Sequence, residues 1–412
     1  MAKFFYVARD GLGKKVSGVE EGSTSDEIIN RLQSRDLIVI TVAADYEQDV
    51  KGLREEIVAQ SKAKLKHYRV TPDDLVLFCR QLATLLGAGV TILKSLEIIC
   101  MQVTSFKLYN VIRNLQKNME AGLSLHEAMA KHPLVFSELW VNLVESGEAS
   151  GNLAVVLNRL ANYLERNAAF KRKLISAILY PIILMVAGLG ALLFLTVRII
   201  PTFAELFKGF DITLPLLTRM LISTSLFIKK FFLLLIGLLV VGAVLFRRYI
   251  KTKEGRKKFE QFQFRLPVFG EMFRALVVER FSSEMSTLVE SGVPILYSLE
   301  IAEHSVGNLV MSEVVRKIKD EVREGKPLNQ PLAKSGFFEP MVVQMVTIGE
   351  EIGELSPMFK KINAFYQEYV ETFLARFATI FEPFMLVFMG IIIGIIVIGM
   401  FLPIFQISQI SG

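Results

Sequence analysis

The chain has 412 residues, 52% of them hydrophobic and 21% charged, with a formal net charge of +6 and a mean hydropathy of +0.44. High hydrophobicity with so small a net charge excludes intrinsic disorder, and two cysteines, Cys79 and Cys100, exclude a disulfide scaffold. Apolar and charged residues must be segregated along the chain, some stretches for lipid and others for water. The mild basic excess calls for no nucleic-acid partner, because in a membrane protein it reports Lys and Arg gathered on one side.

In chain order, residues 1–43 read as a small α+β module. Lys3–Ala8 and Leu37–Val42 have strand character, and Thr24-Ser-Asp-Glu27 caps a short helix carrying Ile28, Ile29 and Leu32, which predicts a β-β-α-β cap. The first residues hold too short an apolar run for a secretory signal. Residues 44–70 are highly charged and read as a linker or exposed helix. From 71 to 173 the pattern is helical. Thr71-Pro-Asp-Asp74 offers an N-cap with acids in the first turn, Ser124-Leu-His-Glu127 is a capping box, and Leu75, Phe78, Cys79, Leu82, Leu85 and Leu86 recur at helical spacing. Gly87, Gly89, Gly122, Gly147 and Gly151 punctuate this segment into about six helices, a bundle in which both cysteines are buried thiols.

Three stretches are apolar enough to cross a bilayer. Leu174–Val197 carries no charge, and at about 1.5 Å per residue it spans the hydrocarbon core. The predicted spans are 174–200, 220–246 and 380–405, with a short loop at 201–219 and a tail at 406–412. The middle one requires Lys229 and Lys230 to snorkel. Lys171, Arg172 and Lys173 precede the first span, and Arg247, Arg248, Lys251, Lys253, Arg256, Lys257 and Lys258 follow the second. Positive charge stays inside, so the N-terminus and residues 247–379 are expected in the cytoplasm and the C-terminus on the other face.

The chain also repeats itself. Residues 78–98 align with 281–301 at an offset of 203, with 11 of 21 positions identical. Glu120-Ala-Gly122 aligns with Glu324-Gly325, and Gly147-Glu-Ala-Ser-Gly-Asn-Leu153 with Gly349-Glu-Glu-Ile-Gly-Glu-Leu355. Pro181 matches Pro383, and Glu382 has Tyr180 as its counterpart. The fold class is therefore an all-α membrane protein of two repeated six-helix bundles, 71–173 and 247–379, with three transmembrane helices and the small N-terminal α+β module.

Catalytic chemistry is hard to find. There is no GxxxxGK[ST] loop, and His67, His126, His132 and His304 lack metal-ligand spacing. No carboxylate pair lies inside a span to serve a peptidase, and no internal ionisable group lines a polar pathway for a transporter. Glu97, Glu148 and Asn152, with Glu300 and Glu350 as repeat counterparts, could hold a hard cation such as Ca²⁺. The competing role for Glu148 is to cap or bridge helices beside the Gly147 and Gly151 turns. No other cofactor is expected. Glu382 sits at a membrane boundary, where either headgroups or a partner helix could meet it. Gly390, Gly394 and Gly399 read as a ridge for close helix packing.

These motifs together resemble one family. The paired Gly-Glu-x-x-Gly-x-Leu segments (Gly147, Glu148, Gly151; Gly349, Glu350, Gly353), the repeated GxVxILxSLEI helix, Tyr180-Pro181 with Glu382-Pro383, and the Phe4-Phe-Tyr-Val-Ala-x-Asp-Gly start are similar to the inner-membrane platform family of type IV pilus and type II secretion machines, the PilC/GspF family. The resemblance implies a bacterial inner-membrane scaffold without turnover, N-terminus cytoplasmic and C-terminus periplasmic. Its bundles would engage a cytoplasmic hexameric ATPase. Its spans, around Tyr180, Pro181, Glu382, Pro383, Gly390 and Gly394, would receive pilin or pseudopilin helices beside other inner-membrane machinery proteins. A homodimer is expected, and the pilus and secretion versions stay open.

Overall fold

The computed structural model describes residues 2–9, 15–35, 37–44, 67–208 and 214–410, so most of the predicted linker lies outside the described residues. The chain divides into two compact units, residues 1–78 with 90–122 and residues 79–89 with 123–412.

The first unit begins with β1 (Ala2–Arg9), β2 (Lys15–Gly22), α1 (Ser25–Gln33) and β3 (Ile38–Ala44). The strands form one antiparallel sheet in the order β2-β1-β3, with a register shift between Val7 and Ala8 on the β3 side. Alternation along β1 turns Phe4 and Ala8 inward, and α1 lays Ile28 and Leu32 onto Phe4. The Thr24 hydroxyl accepts from the Glu27 amide, the N-cap anticipated from sequence. The same unit contains α3 (Ile92–Cys100) and α4 (Phe106–Glu120), joined by a turn whose Ser105 hydroxyl caps α4 through the Leu108 amide at 3.3 Å. Helix α2 (Pro72–Gly87) contributes its first turns to this unit and its end to the other. At its start Thr71 and Asp74 cap each other, with the Thr71 amide donating to Asp74 at 2.7 Å and the Asp74 amide donating to Thr71 at 3.2 Å.

The second unit continues with α5 (Leu125–Ala130), α6 (Glu138–Ala149) and α7 (Leu153–Phe194). A π-helical turn (Leu195–Ile199) joins α7 to α8 (Ile200–Lys208), and α9 (Leu216–Ile250) and α10 (Lys253–Arg265) lead into the second repeat. That repeat comprises α11 (Phe269–Glu290), α12 (Ile295–Ser305), α13 (Leu309–Arg323), α14 (Asn329–Lys334), α15 (Pro340–Glu351) and α16 (Leu355–Ile410). Its core gathers Phe281, Met285, Leu299, Val315, Phe359 and Val370 around α11, which is buried on nearly all sides. The serines and threonine of α11 that turn inward (Ser282, Ser283, Ser286, Thr287) are small enough to let α16 lie close, and Ser286 and Ser356 exchange hydroxyl-to-carbonyl hydrogen bonds.

The last helix of each repeat continues without interruption into the apolar segment. Leu153–Phe207 and Leu355–Phe405 are each long and apolar enough to cross a membrane. Pro181 and Pro383 lie inside these helices without ending them, as happens in membrane helices where neighbours supply the missing partners. The expectation of three spans is modified in the middle. Leu216–Leu234 and Ile236–Ile250 meet at 50° and count as a crossing only when the bent pair is taken as one span. Ile200, Ile396 and Met400 form a small apolar core with Leu195, Leu221 and Ile392. There the Ser225 hydroxyl donates to the Thr196 carbonyl inside the π turn, where the wider ring disturbs the usual helical pairing.

Candidate functional site

The duplicated Gly-Glu-x-x-Gly motif makes the same local structure twice. In repeat one the Glu148 carboxylate accepts from the Leu125 amide at 2.7 Å and the His126 amide at 3.2 Å, the free donors at the start of α5. In repeat two Glu350 accepts from the Leu328 amide at 2.7 Å and the Asn329 amide at 3.2 Å at the start of α14. Gly151 and Gly353 sit at φ of +69° and +73°, the left-handed conformation that ends α6 and α15. Gly147 and Gly349 serve closeness instead. A Cβ at Gly349 would lie 2.9 Å from Met358 and 3.2 Å from the backbone of Glu354 and Leu355, and one at Gly147 would lie 3.2 Å from the Leu153 Cα.

The residues considered for Ca²⁺ are each engaged within the protein. Glu148 has both oxygens engaged, one additionally by His126 Nδ1 at 2.5 Å. Asn152 donates to the Ser150 carbonyl at 3.2 Å, and Glu97, a residue of the first unit, pairs with Lys94 at 2.7 Å. Among the described residues no group of three or more His, Cys, Asp and Glu is placed to hold a metal ion. The geometry of Glu148 is that of a helix cap.

Within the second unit, helices of the two repeats are tied by polar contacts. Tyr297 donates to Asn142 at 2.7 Å, the Ser146 hydroxyl reaches the Ser291 carbonyl at 3.5 Å, and Lys173 pairs with Glu371 at 2.9 Å just below the apolar segments. Beside these ties opens a cleft of about 930 Å³, lined among others by Trp140, Tyr163, Arg280, Glu284 and His304. Glu284 is almost fully buried against Arg280 (3.2 Å) and the Ser305 hydroxyl (2.5 Å). Glu279 accepts from Asn363 at 3.0 Å and Gln367 at 2.8 Å. Burial pushes both carboxyls above the ordinary carboxylate range, against the pull of these donors. Neither acid was anticipated, since helical periodicity places acids on solvated faces. The repeat offers the missing signal, because at an offset of 203 Glu279 and Glu284 replace Val76 and Gln81.

At the membrane level the pseudo-equivalent residues meet. The Tyr180 hydroxyl donates to the Glu382 carboxylate, joining α7 to α16, and both side chains lie at the protein surface. Pro181 is buried and Pro383 exposed. Gly390 and Gly394 have open space where a Cβ would project. Gly399 does not continue their ridge. It packs against Leu217 and Leu221 of α9, and Thr218 donates to its carbonyl. The helical period explains this, for nine residues advance Gly399 about half a turn away from Gly390.

Residues 78–201 and 281–403 each match the family described as Type II secretion system (T2SS), protein F, and residues 1–43 match its N-terminal domain. The chain belongs to this family. The two matched stretches are the duplicated halves with their apolar helices, so the internal repeat is a property of the family fold. Among its relatives, the Type IV pilus assembly protein PilC of Thermus thermophilus is 38% identical over 99% of this chain and 98% of its own. The protein of the same name in Pseudomonas aeruginosa is 32% identical over 84% of this chain and 92% of its own. The Type II secretion system protein F of Pseudomonas aeruginosa is 33% identical over the full length of both chains.

Proposed function

We propose that this protein is a non-enzymatic platform of the bacterial inner membrane that couples a cytoplasmic hexameric ATPase to the insertion or extraction of pilin subunits in type IV pilus assembly. The observation that carries this reading is the continuity of α7 and α16 from bundle into apolar segment. A helix of 56 residues is a rod about 80 Å long, and displacement of a bundle at one end moves the lipid-facing surface at the other. The bundles, 71–173 and 247–379, receive the ATPase and self-associate as a dimer. The surface around Tyr180, Pro181, Glu382, Pro383, Gly390 and Gly394 receives the apolar helix of the pilin. In this reading the N-terminus lies in the cytoplasm and the C-terminus in the periplasm, an orientation that the basic flanks support.

The names of the relatives support a pilus or secretion role, and the 38% identity to one pilus assembly protein, against 33% to a secretion protein F, supports taking the pilus reading first. Crosslinking through photoreactive residues in 71–173, with a co-expressed pilus ATPase, tests the coupling. Adducts at positions in this bundle support it, and their absence at every position overturns it.

A further inference from the structure

Helix α10 is fixed to the second bundle by one face only. Arg256 donates to Glu260 at 2.9 Å and to the Gly307 carbonyl at 2.6 Å, and Lys257 pairs with Glu313 at 2.6 Å. The buried Glu260 accepts from the Leu309 amide at 2.6 Å. Both ends are drawn in tightly, since a Cβ at Gly255 would lie 2.2 Å from the Tyr249 carbonyl oxygen and one at Gly270 would lie 2.5 Å from that of Phe264. The opposite face presents Lys258, Phe262 and Arg265 at helical spacing, all exposed.

At the end of α10 the chain makes a strained turn. Val268 stands at φ 69° and ψ −48°, with the Phe269 amide donating to the Pro267 carbonyl at 2.8 Å. This is a γ-turn in its unfavourable hand, held by a β-branched residue. Among the described residues Val268 is the only non-glycine with positive φ, and its side chain is 71% exposed. Strain spent to turn an apolar side chain outward points to a surface that receives it.

Three aromatic contacts place α10 and this corner at the level of the bilayer surface. Phe259 packs edge-on against Phe246 in the last turns of α9, at 5.7 Å. Phe269 packs against Phe373 and Phe377 of α16 at 5.8 and 5.4 Å, and the charge-free stretch of α16 begins at Pro383, about 9 Å beyond Phe377. At the junction of α9 and α10, Arg247, Arg248, Lys251 and Lys253, and along the free face of α10 Lys258, are exposed and form no ion pair among the described residues.

We propose that α10 and the Leu266–Phe269 corner form an interfacial anchor for anionic phospholipid. The unpaired cations take the phosphate headgroups, and Phe262 and Val268 enter the boundary of the acyl chains. The apolar pair favours lipid over free phosphate or a polyanion, neither of which offers it an apolar environment. The anchor holds the α10 side of the second bundle at the membrane surface, and it does not depend on which machine the protein serves.

The test uses the full-length protein with Val268→Cys, nitroxide-labelled and reconstituted without partner proteins into phosphatidylcholine vesicles or phosphatidylcholine with phosphatidylglycerol. The native thiols do not compete, because Cys79 and Cys100 are buried and burial raises both, that of Cys100 to about 11. Power-saturation electron paramagnetic resonance is expected to show a several-fold higher ratio of oxygen to nickel-complex accessibility in the anionic vesicles. High salt and Lys251→Glu/Lys253→Glu/Lys258→Glu are each expected to abolish the difference. A label at Phe262→Cys provides a second reading should the first variant fold poorly. Equal accessibility in both lipids, or a difference that survives charge reversal, overturns the proposal.

Discussion

Glu148 and Glu350 show how one carboxylate closes a repeat. Each takes two amides at the start of a short helix that cannot otherwise satisfy them, and each is half-buried, so the bonds are shielded from competing water. Glu148→Ala is expected to cost roughly 1–2 kcal/mol, the range of a lost N-cap, read as a lower thermal midpoint in detergent and recovered in part by Glu148→Gln. Glu279 and Glu284 act in the opposite direction. Their folded-state carboxyls titrate above the ordinary value of 4.5, so the folded state binds more protons than the unfolded chain in that window. Their stabilising contribution is complete below pH 4.5 and fades as pH rises through the raised values. The thermal midpoint of Glu279→Gln relative to the unchanged protein should therefore increase between pH 4.5 and neutrality. A difference independent of pH would show that the Glu279 titration is not linked to folding.

At the scale of elements, the repeat is a set of shared backbone solutions. Gly89 and Gly292 take φ of +83° and +82°, and Gly122 and Gly325 take +95° and +92°. Identical turns recur because the same left-handed residue must end the same helix. The close approach at Gly349 leaves no such freedom. A methyl group there meets the backbone of Glu354 and Leu355, which open only by separating α15 from α16. Gly349→Ala is expected to destabilise by roughly 1–3 kcal/mol, as overpacking does. Gly390→Ala, with open space around it, should leave the same thermal melt unchanged.

For the whole molecule, the decisive feature is that bundle helix and apolar helix are one element. Insertion of Gly-Gly-Gly between Arg172 and Lys173 would leave the bundle contacts available and break the rod where it enters the bilayer. The expected outcome is a protein that accumulates in the membrane at normal level and no longer supports assembly of surface fibres, scored by shearing and immunoblot. Full assembly with the insertion would remove the mechanical part of the proposed function. Lys173 and Glu371, paired at 2.9 Å at this height, mark where the two rods are held together.

Much of this was legible in the residues themselves. Apolar runs, Thr24 and Ser124 caps, glycine stops and an 11-in-21 self-match are local signals, and local signals survive in a one-dimensional string because caps, turns and hydropathy act over a few neighbouring residues. Three-dimensional packing decided the rest. It engaged Glu148 with α5, split Gly399 from Gly390 and Gly394, and bent the middle apolar helix pair by 50°. It also buried Glu279 and Glu284 inside a helix whose amphipathic pattern is nearly absent, and brought Tyr180 to Glu382 across 202 positions. Each of these depends on which distant segment lies opposite, and the free energy of burying a charge or seating a glycine belongs to the pair of surfaces that meet there.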